Sequence, residues 1–456
     1  MPSTRRQFLR NTVCAAVGST SIVRTLFDLG NINAAAATLP RIGSDYKALV
    51  CLFLYGGNDS NNLLVPRTGS DYLGYAAGRG ALALPQGALL PITPTTTDGR
   101  TWGLHPSLPG LQGLFAQHRM AILANVGPLV APLTRTQFLN GSVAAPPQLF
   151  SHSDQQVHWQ TSIPDQPPRT GWGGRTADLL RSLNGSSQVS MSMSVAGSNV
   201  FQVGDFVTQY QVSPDGSLGL DAFTDGPGGD PVSRAIRSLL APATGNLLVN
   251  AAGDVTRRAL DNSQLLDTAL AQAPTLATVF PDTDLGRQLH MIAKLISVRG
   301  PLGLSRQVFF CAADGYDTHG GQLAAQNDLL ADLSTALTAF YNATVELGVP
   351  GNVTTFTASD FGRTFPSNGG GSDHGWGSHQ LIVGGAVTGG NIYGTVPTLV
   401  EDGPDDSGEG RWIPTTSVDE YSATLARWFG VGSADLGTIF PNLGRFSRPD
   451  LGFMGA

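Results

Sequence analysis

Apolar runs of strand length recur along this chain, separated by glycine-rich polar segments and by stretches of helical period. Ala48 to Tyr55 (ALVCLFLY) and Met120 to Val126 (MAILANV) have no polar face, the pattern of strands covered on both sides. Gln307 to Ala312 reads as a third buried strand and the Thr-rich, β-branched run Val353 to Ala358 as a fourth. Between these two, Gln322 to Glu346 sets Leu323, Leu330, Leu333, Leu337 and Phe340 on one stripe and stops at Gly348 and Pro350, so it is a helix. Strand, helix, strand in that order is a right-handed crossover in a largely parallel sheet.

Shorter signals fill in the rest. Helices are expected within Leu104 to His118, from Ser151, from Gly171 to Leu183, over Val232 to Leu270, over Asp284 to Val298 and over Val418 to Phe429. Met191 to Val203, Gln380 to Val387 and Asn391 to Val400 read as strands or hairpins, and Ser213 to Pro231 as a long surface loop. The fold class is therefore α/β, with helices on both faces of a largely parallel sheet. It forms a single domain over 38–456, carrying a loop and helical insertion around 204–300.

Composition narrows the function. A net charge of −7, with 34 acidic against 27 basic residues, leaves no electrostatic footprint for nucleic acid. Residues 1–37 carry Ser3-Thr4-Arg5-Arg6-Gln7-Phe8-Leu9-Arg10, a mildly apolar stretch and then Ala34 to Ala37. This resembles a twin-arginine signal peptide, so the Tat translocon is an expected partner and the destination is periplasmic or secreted. No later segment has the roughly 20 apolar residues of a membrane span. Cys51 and Cys311 lie in apolar runs, either as small core residues or as a disulfide between neighbouring strands.

The chemistry gathers in one stretch. Of eight histidines, His319, His374 and His379 fall between Val308 and His379. Asp317 and His319 follow one strand, Asp360 the next, and Asp373-His374 and His379 the loop after it. Asp59 lies just past the first strand in GGNDS, where open α/β sheets bind ligands. Carboxylate and imidazole together suit zinc or manganese, and with more oxygens magnesium or calcium. Taken singly, each Asp could equally cap a loop and each His hold a hydrogen bond. Trp172, Trp376 and Tyr316 are either core rings or stacking surfaces for a sugar. Phe365 to Gly371 has the composition of a lid.

The order Asp317-x-His319, helix, strand, Thr357-Ala358-Ser359-Asp360-Phe361-Gly362, then Gly371-Ser372-Asp373-His374 resembles the metal-binding half of the alkaline phosphatase-like superfamily. That superfamily includes the sulfatases, phosphopentomutase and the cofactor-independent phosphoglycerate mutase. GGNDSNNLLVP, GYDTHGG, SDFGRT and DHGWG resemble more closely the exported family catalogued as domain of unknown function 1501. The resemblance implies one or two divalent ions: Asp317, His319 and His374 around the first, Asp59 and Asp360 beginning the second. The superfamily has Asp-His where this chain has Asp360-Phe361, so Asp373 or His379 substitutes or the second ion is absent. A nucleophile is implied at Ser151 or Ser153, with Ser60 behind them, although Ser151 with Asp154 also fits a helix capping box. Arg363 and Arg175 are anion clamps or partners of nearby carboxylates. The implied function is an exported metal-dependent hydrolase of phosphate or sulfate esters, acting on a small anionic ester or saccharide. Its alternatives are a secreted binding or assembly protein with one structural metal, and a hydrolase of carbohydrate or peptidoglycan.

Overall fold

A computed structural model describes residues 45–185, 187–217, 231–240 and 247–455. Its main sheet has ten strands among the described residues: β1 (Lys47–Leu54), β2 (Met120–Gly127), β3 (Ser192–Ser194), β4 (Tyr210–Ser213), β5 (Gly216–Ser217), β6 (Arg306–Ala313), β7 (Val353–Ser359), β8 (Ser378–Gly384), β9 (Asn391–Gly394) and β10 (Thr416–Ser417). Their order is β9-β2-β8-β7-β1-β6-β3-β4-β5, with β10 also paired to β2. β1 lies parallel between β7 and β6, with Cys51 opposite Phe356 on one side and Phe310 on the other. β8 runs antiparallel between β7 and β2, and β5 returns antiparallel on β4; the other pairings are parallel.

Seven consecutive residues of β1, Ala48 to Leu54, are buried, so side chains pointing to both faces are covered. Each large apolar side chain so buried contributes about 1.5–3 kcal/mol. Helices Pro109–Ala116, Asp284–Ser297 and Gln322–Glu346 pack with one another and on the sheet. Helices His152–Thr161, Trp172–Leu180 and Val418–Phe429 form the other layer, where Trp172 and Tyr421 meet Phe356 of β7. The residues from Tyr46 onward form one compact unit.

The long runs and the helices Gln322–Glu346 and Val418–Phe429 lie where periodicity puts them. The expected strand Met191 to Val203 shrinks to Ser192–Ser194, because the Ser194 hydroxyl donates to Gly197 O (2.6 Å) and closes a turn. β9 ends early at Gly394, which takes a left-handed φ of 76°. Val232 to Leu270 forms two helices, Pro231–Leu239 and Leu247–Leu270, and the break between them lies outside the described residues, as do the signal segment and most of the loop before Pro231. Cys51 and Cys311 remain buried thiols on adjacent strands. Among the described residues no helix is long and apolar enough to cross a membrane.

Candidate metal centre

Because β1, β6 and β7 are parallel, the loops carrying Asp59, Asp317 and Asp360 leave the same end of the sheet. β8 enters from that end, which brings Asp373 and His374 beside them. Close approach depends on Gly56 and Gly57, both at positive φ: a side chain on Gly56 would meet the backbone of Tyr316 and Asp317, and one on Gly57 the ring of Phe361. The glycines following β1 therefore let three strand-end loops converge.

At that convergence stand three imidazoles and a carboxylate. His374 Nε2 lies 3.1 Å from His152 Nε2 and 3.0 Å from His319 Nε2. Asp317 Oδ1 is 3.0 Å from His319 Nε2 and 3.4 Å from His374 Nε2, and its Oδ2 is 3.5 Å from His152 Nε2. The second nitrogen of every ring is already engaged. Nδ1 of His152 contacts Asp360 Oδ2 (2.6 Å), that of His319 contacts Asp373 Oδ1 (2.9 Å) and that of His374 contacts Phe150 O (2.7 Å). Carboxylate and carbonyl oxygens accept, so Nδ1 is the donor in each case and the neutral ring keeps its lone pair on Nε2. The Nε2 atoms of His152 and His374 and an Asp317 oxygen thus lie within 4.8 Å of one another, with His319 Nε2 at their edge. That arrangement is repulsive by itself and complementary to a divalent cation, and outer partners that fix the tautomer are the usual accompaniment of histidine ligands.

Electrostatics prepare the same state. Burial holds the pKa of His374 below the ordinary histidine value and so keeps the ring neutral. Partial burial raises Asp317, but the hydrogen bond and charge of Arg363 outweigh it, and the carboxylate titrates below its ordinary value. The Asn368 amide lowers Asp373, helped by His319 against a little burial. Asp360, in contrast, is pushed up by burial, against hydrogen bonds from Gln156 and His152. The Asp317 and His319 side chains are 44% and 46% exposed, so the cluster opens to solvent on that side. Opposite, the buried Phe361 ring packs 4.8 Å from the His152 ring and 4.6 Å from that of His374.

Of the residues singled out in the sequence, Asp317, His319 and His374 meet, with Asp373 and Asp360 behind two of the imidazoles. His152 is the member that the sequence reading passed over; its signal was its place between Ser151 and Ser153, the two positions where a nucleophile is implied. Asp59 is not in the cluster, because its carboxylate accepts from Arg79, Gln322 and the Asn61 amide. His379 turns elsewhere, its Nδ1 accepting from Asn125 N (3.0 Å), and full burial lowers its pKa to about 4. Arg363 donates to Asp317 Oδ1 (2.6 Å) and to the carbonyls of Gly56 and Ser372, so of its two expected roles the carboxylate partner is the one the structure displays. Arg175 is likewise committed to the carbonyls of Thr161, Thr170 and Ile439.

The capping box at Ser151 does not form. Its hydroxyl makes a 2.6 Å contact with Asp154 Oδ2, and no side chain caps the first turn of helix His152–Thr161. The preceding Phe150 has φ of 71°, costly for a bulky residue, and this is the residue whose carbonyl receives His374.

Among solved structures the chain is similar to the PsFucS1 sulfatase from a Pseudoalteromonas species (11% identity, TM-score 0.35, 94% of this chain and 73% of that one). It is also similar to the soluble domain of lipooligosaccharide phosphoethanolamine transferase A from Neisseria meningitidis (9%, TM-score 0.32, 86% and 90%). A third is the C-terminal periplasmic domain of EcEptC from Escherichia coli, in complex with Zn (10%, TM-score 0.30, 76% and 75%). No curated protein matches in sequence. The family model described as protein of unknown function (DUF1501) matches residues 46–409, and the chain belongs to that family.

Proposed function

We propose that this chain is an exported hydrolase of phosphate or sulfate esters, free or carried on a saccharide, that works with one divalent ion. The observation that carries the reading is that His152, His374 and Asp317 bring ligand atoms within 4.8 Å of one another, with His319 Nε2 beside Asp317 and His374 and the Nδ1 of each ring engaged elsewhere. His152, His319, His374 and Asp317 would hold the ion, and nitrogen-rich ligation favours zinc. Bound there, it would supply Lewis acidity toward an ester oxygen. One ion is favoured over two because Asp59 is occupied by Arg79 and the place of a further imidazole is filled by Phe361.

The chain's own groups supply the rest. The uncapped first turn of helix His152–Thr161 offers backbone N–H groups to the ester anion. The Ser151 hydroxyl, already directed at Asp154, attacks phosphorus or sulfur; its proton passes to Asp154 as the bond to the leaving oxygen breaks with its electron pair. Water then cleaves the esterified serine and Asp154 returns the proton. Arg363 and Asp373 keep Asp317 and His319 oriented throughout.

Elemental mass spectrometry on the purified protein, with a panel of phosphate and sulfate esters assayed with and without chelator, tests this. One equivalent of metal and a chelator-sensitive turnover lost in Ser151→Ala, with metal retained, is the expected result. A secreted binding protein with one structural ion is the second reading, favoured by the apolar wall at Phe361. One firmly held equivalent with no turnover of any ester would select it.

A further inference from the structure

The loop from Arg363 to His374 supplies one ligand of the proposed centre and the partners of two others, yet it is rich in glycine and serine. Something must hold it. The Arg79 guanidinium, fully buried, donates to the carbonyls of Thr364 (3.1 Å) and Phe365 (2.7 Å) at the start of that loop. The same group pairs with the buried Asp59 carboxylate and donates to Asn62 Oδ1 (3.2 Å). Asp59 also accepts from Gln322 Nε2, and Gln322 Oε1 accepts from the Ser372 hydroxyl (2.6 Å) near the loop's other end. The Ser372 carbonyl and Asp317 Oδ1 are both bound by Arg363, whose own carbonyl accepts from Asn61 (3.1 Å). Thr364 then pairs with Asp373 through its amide and hydroxyl, at 2.9 Å each.

We infer that Arg79 is a positioning residue of the metal centre: locked onto Asp59, it serves as a built-in cation that holds the start of the loop carrying Arg363, Asp373 and His374 directly and, through Asp59 and Gln322, steadies the loop's other end at Ser372. A buried carboxylate needs a positive partner, and a guanidinium with several donors can meet a carboxylate and carbonyls together, as a compact ammonium cannot. Asp59 accordingly acts through the loop and is not itself a metal ligand. This rests on the metal reading above.

The test compares zinc dissociation constants, by chelator competition, with metal stoichiometry and the melting temperature of the metal-free protein. Arg79→Met and Ser372→Ala are the variants, the second removing one hydrogen bond with little risk to folding. Arg306→Met, a buried arginine at the opposite end of β6 bound to Phe429 O, is the control. The expected result is one zinc in wild type, affinity weakened about 10–100-fold in both loop variants, and a melting loss without an affinity change in the control. Arg79→Met and Ser372→Ala with wild-type affinity would overturn the inference while leaving the centre intact. A second equivalent in wild type, lost in Asp59→Asn, would show Asp59 to be a ligand and overturn it too. Should Arg79→Met not fold, Ser372→Ala decides. Wild type that binds no zinc would remove the metal reading and this inference with it.

Discussion

The three histidines at the centre differ in what their partners demand. His152 is tied to a buried carboxylate, His319 to an exposed one and His374 to a backbone carbonyl. His152→Ala should abolish stoichiometric metal binding, whereas Asp373→Asn should weaken it about 10–100-fold, since it disturbs only the ring's orientation; equilibrium dialysis against zinc separates the two. His379→Ala, remote from the cluster, should leave metal content unchanged and lower stability only. Asp419 offers a separate residue-scale prediction. Burial raises its folded pKa to about 7, against the nearby Ser162 hydroxyl and the charge of Arg175. Between about 4 and 7 the unfolded chain loses this proton while the folded one retains it, so its contribution to stability falls as pH rises through that window. Asp419→Asn should remove that dependence, gaining ~2–4 kcal/mol relative to wild type at pH 7 against pH 4. Urea titrations across this range measure the difference, and parallel curves would refute the shift.

Helices and strand ends turn these residues into a site. Helix His152–Thr161 carries His152 on its first residue with no side-chain cap above it, whereas helix Val418–Phe429 has a complete capping box from Ser417 and Glu420. The contrast bears on stability. Ser417→Ala should cost about 1–2 kcal/mol, read as a lower urea midpoint with an unchanged slope. Ser151→Ala should cost much less, because its hydroxyl caps nothing. At β2, Asn125 adopts φ of 50° beside a register shift opposite β8, presents its amide to His379 and ties Ile413 O to the sheet.

Across the whole molecule, the centre joins segments far apart in sequence: 152 from one helix, 317–319 after β6 and 373–374 before β8. A cation held there would bind the folded chain only, so it should add about 2.7 kcal/mol when present at a hundred times its dissociation constant. The melting temperature should therefore rise with added zinc and fall with chelator, and a chelator-insensitive melt would count against the centre. Hydrophobic period alone determined the α/β class, the buried strands and the helices Gln322–Glu346 and Val418–Phe429, because a strand covered on both faces and an amphipathic helix write their environment into local sequence. GYDTHGG and SDHGWGSH likewise disclosed three of the cluster's members through their proximity to strand ends. What only the tertiary structure decided was membership and commitment. His152 joins from more than 160 residues away, as its number against Asp317 makes plain, Arg79 claims Asp59, and Arg363 is consumed by Asp317. No local pattern encodes which acceptor a buried guanidinium reaches, since that depends on distances set by the packing of distant loops, and a buried charge takes whichever partner those distances permit.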